Sequence, residues 1–186
     1  MRVLVVNSGE PFARSATDET ARTLAQALEN EGHASEVLRV PFSPTPSHAI
    51  PAQAAMIRLF ELTNVDRVVA LDFPSYLIRH PEKVIWLIDR PPVISTLWED
   101  QPDEQLPGID AVNWRQVVNN ADHAAFNEAR AILVTSGQVR HRLRRFNGAV
   151  ATVVPLPTLH ADRGDESATI GQNEADWRAI VEVLAR

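Results

Sequence analysis

Two aspartates stand where apolar runs end. Asp72 closes Val68-Val69-Ala70-Leu71, and Asp89 follows Val84-Ile85-Trp86-Leu87-Ile88. Carboxylates at neighbouring strand ends can hold a cation, an amine or sugar hydroxyls. Asp89, placed in a cleft, could act as general base on a hydroxyl. The plainer reading makes both of them turn-capping acids, Asp89 standing before Pro91-Pro92. A metal would want a third acid or a histidine at fixed spacing. The 6 histidines show neither HxH nor HExxH spacing. No P-loop, G-x-G-x-x-G or G-x-S-x-G is present either.

The first turn, Asn7-Ser8-Gly9-Glu10-Pro11-Phe12-Ala13-Arg14-Ser15, follows an apolar run as a nucleotide-binding turn would, yet it has one glycine. Glu10, with Asp18 and Glu19 just beyond, would repel a phosphate that the helix dipole attracts. Arg140, Arg142, Arg144 and Arg145 gather later in the chain; a solvated helix face explains them most simply.

The totals narrow the classes. A chain of 186 residues suits one domain, or one domain and an appendage. Its net charge of −6 disfavours a general nucleic-acid role. With no cysteine there are no disulfides, thiolate metal sites or cysteine nucleophile. No apolar run approaches the ~20 residues that span a bilayer. The chain opens on a strand, so the sequence predicts no signal peptide and a cytoplasmic protein.

Elements that would position these residues are readable from periodicity. Val3–Val6 predicts a strand covered on both faces. Ser15-Ala16-Thr17-Asp18 fits a capping box, and Ala21, Leu24, Ala25 and Leu28 share one face of the helix that follows. Gly32 sits where a left-handed residue ends a helix. Strands are expected at 35–40, 66–72, 83–88, 131–135 and 151–154. Helices are expected at 52–62, burying Ala55, Met56, Leu59, Phe60 and Leu62, at 112–130 with a break near 119–122, and at 138–146 after a Ser136 cap. Residues 93–108 read as irregular and acidic. Residues 159–175 read as a polar linker. In 176–186, Trp177, Ile180, Val181 and Leu184 form one helical face that must dock or stay wet. The alternation predicts an α/β fold with a parallel sheet and right-handed crossovers. Its working surface would lie beyond the carboxyl ends of the strands, at 7–14, 72–76, 89–92, 136–137 and 155–158.

Three phrases in order, VDRVVALDFPSYLIRHPEKVIWLID, ADHAAFNEARAILVTSGQVRHRLRRFNG and ATVVPLPTLHADR, resemble the N-terminal half of a family-4 GT-B glycosyltransferase. The closing DWRAIVEVLAR resembles the helix with which such enzymes return to their first domain. The resemblance implies a single Rossmann-like, doubly wound acceptor-type domain at 1–158, a linker at 159–175 and a C-terminal helix at 176–186 packed back on that domain. It also implies that the donor domain, which holds the nucleotide sugar, is missing. Catalysis in such folds needs groups from both sides of a cleft. The implied function is therefore an accessory or binding protein acting with a partner transferase, without a cofactor of its own. The alternative is a split or minimal glycosyltransferase passing a sugar from a nucleotide sugar to a small acceptor, with Asp89 as base. Glu10, Arg14, Ser15, Asp72 and Arg90 would line the acceptor side. Implied partners are a full-length glycosyltransferase, or a second copy on the former interdomain face, and a small glycoside; no nucleic acid or membrane span is expected. This sequence departs from the family at three places. Arg14-Ser15-Ala16 stands where relatives often have a glycine pair, Asp89 where they often have histidine, and Asp72 where they often have lysine.

Overall fold

Short β-branched runs form the strands β1 (Arg2–Gly9), β2 (Ala34–Pro41), β3 (Arg67–Ala70), β4 (Lys83–Leu87), β5 (Ala131–Val134) and β6 (Thr152–Val153). The structure is a computed structural model that describes residues 1–45, 47–88, 109–157 and 166–185. Asp89, Arg90 and the acidic stretch 93–108 lie outside those residues. The strands make one all-parallel sheet in the order β2-β1-β3-β4-β5-β6. Helices α1 (Ala16–Asn30), α2 (Ile50–Ile57), α3 (Ile109–Glu128), α4 (Gly137–Asn147) and α5 (Glu166–Ala185) flank it. The chain is thus α/β with a Rossmann-like sheet, as its alternation predicts.

Strand residues alternate between two cores, which is why the runs are apolar throughout. Val3, Val5, Val69, Leu71, Val84 and Trp86 pack under α1 and α5. Val6, Val68, Ala70, Ile85, Leu87 and Val134 pack under α2, α3 and α4. The capping box forms as read: the Ser15 hydroxyl accepts from the Asp18 amide, and the Asp18 carboxylate accepts from the Ser15 amide at 2.8 Å. Gly32, just past α1, and Gly148, at the end of α4, both take the left-handed conformation that ends a helix without a Cβ clash.

Three expectations change. The helix read as 52–62 is α2, Ile50–Ile57, and it buries Ile50, Ala54 and Ile57, spaced i, i+4, i+7. Met56 and Leu59 are instead 65% and 79% exposed. Arg58 ends the helix and takes Leu59 and Phe60 off its face. α3 runs without a break through 119–122, because Asp122 has a buried partner for its carboxylate in Tyr76. α5 begins at Glu166, inside the stretch read as linker. Glu, Ala and Gln there are good helix formers and extend the helix backwards.

The end of α5 covers the sheet. Trp177, Ile180, Val181 and Leu184 are buried against α1 and the strands, and the Trp177 ring meets Trp86 edge-on at 6.2 Å. Arg67, at the start of β3, donates from Nη1 to the Leu184 carbonyl at 2.6 Å. A cation on the last carbonyls of a helix suits its dipole and satisfies a group that lacks an intrahelical partner. No helix among the described residues is long and apolar enough to cross a membrane.

Candidate functional site

Strand order reverses between β1 and β3: the chain leaves β1 for β2 on one side and returns for β3 on the other. In open parallel sheets, the crevice beyond the carboxyl ends at that switch is where ligands sit. Here those ends are Asn7-Ser8-Gly9 and Leu71-Asp72-Phe73, and they are stitched together by polar contacts. The Ser8 amide donates to Asp72 Oδ2 at 3.0 Å, and the Ser8 hydroxyl donates to the Phe73 carbonyl at 2.7 Å. Ser75 Oγ lies within reach of the Asp72 and Val6 carbonyls.

Asp72 is buried, and its other oxygen, Oδ1, has no protein partner. Burial disfavours its charged form and pushes the carboxyl up to about 7, against the pull of the Ser8 amide. Such a group sits near the pH at which a general acid or base is useful, and such shifts gather at functional sites. A buried orphan acceptor is also costly unless a ligand or water meets it.

One turn away, Asp18 does a different task. Burial alone would raise its carboxyl. Hydrogen bonds from Ser15 and from Asn7 Nδ2, with the Arg39 guanidinium, hold it below the usual range instead. Arg39 Nε lies 3.0 Å from Asp18 Oδ1, a charge contact without the alignment of a hydrogen bond. Arg39 Nη2 reaches on to the carbonyls of Glu10 and Ala13 at 2.9 and 2.7 Å. That guanidinium passes so close to Gly9 that a Cβ there would strike it. The lone glycine of the first turn therefore makes room for an arginine of this chain, and the loop is clamped from below.

The sequence-read residues fall in different places. Ser15 spends its hydroxyl on the cap. Glu10 is exposed and accepts from the Ser43 hydroxyl at 2.8 Å. Arg14 is exposed on a cleft that it shares with Asp18, Arg22 and Arg39. Asp72 stands behind that turn, next to Ser8. The contacts of Asp89 and Arg90 lie outside the described residues. Sequence reasoning missed Arg22 and Arg39, and it gave Asn7 no role beyond its place in the stretch 7–14. Asn7 is a fully buried amide at a strand end, a polar residue breaking an apolar run, and that was the available signal. Among the described residues no group of three or more histidines and acids could hold a metal ion.

A second polar cluster lies deeper. Tyr76, wholly buried, donates from its hydroxyl to Asp122 Oδ1 at 2.7 Å. Burial raises the Asp122 carboxyl to about 7, and burial together with the Asp122 charge raises the Tyr76 phenol. Lys83, also buried, donates from Nζ to the Tyr76 and Ile78 carbonyls at 3.0 Å each. Burial brings its ammonium down to about 8. These groups fix the segment 75–78 beneath the crevice.

Fold and site together define a class: an α/β protein with a Rossmann-like parallel sheet whose β1 and β3 carboxyl ends are joined by buried polar contacts at the switch, with the first turn closed by its own side chains. Compared with known proteins, the chain matches no family model and no curated protein sequence.

Proposed function

We propose that this chain is a glycosyltransferase-like acceptor-type domain that binds a small glycoside at the β1/β3 crevice and works with a partner chain carrying the nucleotide-sugar site. The observation that carries this reading is the first turn. A donor-binding turn leaves its helix amides open to phosphate, whereas here Asp18 and Arg39 fill that place. Beside it, Asp72 keeps one carboxyl oxygen without a protein partner; it is sealed from solvent here, so a sugar hydroxyl would reach it only as the two strand ends part. The return of α5 onto α1 supports the same reading, since it matches the closing helix the sequence resembles.

Calorimetric titration tests it. Methyl glycosides should bind weakly, with Kd of about 1 mM or above, and Asp72→Asn should weaken them. Uridine- and guanosine-diphosphate sugars should bind this chain alone no more tightly than inorganic phosphate does. Tight nucleotide-sugar binding, or sugar transfer by the unaided chain, would overturn the proposal.

A further inference from the structure

We infer that the cleft between the β1–α1 turn and β2 is a binding site for the phosphoryl group of a small phosphate monoester whose ester group packs on Phe12. The cleft measures about 380 Å³, and Asn7, Phe12, Arg14, Asp18, Arg22 and Arg39 line it. Three guanidinium groups thus face one carboxylate. Asp18 is matched by Arg39 at 3.0 Å, which leaves the charges of Arg14 and Arg22 uncompensated. Both are exposed, and neither has an ion pair or hydrogen bond among the described residues. In a chain of net charge −6, two free arginines beside a third run against the overall balance. Guanidinium forks match phosphoryl oxygens bidentately, and charge-assisted bonds of that kind are the strong ones.

Phe12 is the second, independent observation. It is the one described non-glycine residue with positive φ, at 66°, and its side chain is fully exposed. Left-handed backbone is unfavourable at such a residue, and an exposed phenyl ring forgoes the burial that would offset it. Strain of this sort gathers at ligand clamps. On the rim of an arginine-lined cleft, the ring offers an apolar face to whatever carries the phosphoryl group. The helix N-terminus takes no part, because the Ser15–Asp18 box already satisfies it.

The site shares Arg14 with the acceptor set but does not rest on the glycosyltransferase-like reading. The test titrates the folded chain at low ionic strength with inorganic phosphate, phenyl phosphate and methyl glucoside. Phenyl phosphate should bind about tenfold more tightly than inorganic phosphate. The double variant Arg14→Ala/Arg22→Ala should weaken both by about tenfold or more while melting at the parent temperature, because both side chains are exposed. Phe12→Ala should abolish the preference for the phenyl ester and leave inorganic phosphate unchanged. Flotation with phosphatidylglycerol vesicles should be negative. The inference is overturned by no saturable phosphate binding up to about 10 mM, by binding that survives loss of both arginines, or by equal affinity for the two phosphates. Vesicle binding would overturn the small-molecule assignment. Loss of methyl glucoside binding alone would count against the acceptor-type reading and not against this one.

Discussion

Asp18 and Arg39 meet across the first βα turn, Oδ1 to Nε at 3.0 Å, and between them they hold both ends of the loop. The acid caps α1 and takes the Asn7 amide; the cation collects two loop carbonyls and crosses beneath Gly9. Arg39→Ala should therefore leave a buried carboxylate without its cation and two carbonyls without a donor. We expect a loss of about 2–3 kcal/mol in urea unfolding at neutral pH. Gly9→Ala should cost about 1 kcal/mol by displacing the guanidinium. Little further loss is expected when the two changes are combined, since both break the same clamp. Full additivity would show that the clamp is not shared.

Asp72 and Asp122 give the fold a pH dependence opposite to that of most carboxylates. Each is raised from 3.8 to about 7, chiefly by burial. The native chain then binds more protons than the unfolded one between those values. Stability should fall as pH rises through that window and level off above it. Asp72→Asn should remove roughly 2–4 kcal/mol of that decline. Urea midpoints at about pH 5 and pH 8 suffice as a check; an unchanged slope in the variant would refute the assignment.

The Tyr76–Asp122 hydrogen bond joins the segment 75–77 to α3. Tyr76→Phe and Asp122→Asn should each destabilise, and a double-mutant cycle should return a coupling of about 1–2 kcal/mol. Zero coupling would mean that the pair is packing only.

Trp177 is the largest side chain that α5 places on the sheet. Trp177→Ala should cost about 3–5 kcal/mol. Arg67→Met, which leaves the Leu184 carbonyl without its donor, should cost about 1–3 kcal/mol. Thermal melts of the two variants give both numbers, and parent-like melting of Trp177→Ala would show that α5 is not part of the cooperative unit.

Much of the sheet could be read from the chain because its signals are local. Val3–Val6, the Ser15 capping box and Gly32 each fix their own neighbourhood, and the structure uses all of them. The face of α2 was misread because Met56, Leu59 and Phe60 are as apolar as Ile50, Ala54 and Ile57, and only the end of the helix at Arg58 decides between them. The site was less legible. Arg39 lies on β2, 21 residues after Asp18, and nothing local marks it as the partner of the first turn; parallel pairing of β1 with β2 brings it there. The acidity of Glu10 and Asp18 suggested a turn hostile to phosphate. In the fold, Asp18 is neutralised by Arg39 and Glu10 turns to Ser43, while Arg22 enters from one helical turn further on.

The grip of Arg67 on Leu184 has a consequence for how the chain comes into being. β1, β3 and β4 precede α5 in the chain, and the part of one side that α1 does not cover stays wet until Trp177 through Leu184 clear the ribosomal tunnel. Until then a nascent chain would carry an uncovered greasy face, the kind of surface chaperones retain. A nascent chain stalled with Trp177–Leu184 still inside the tunnel should be cut readily by protease, and one stalled after that segment has emerged should resist it.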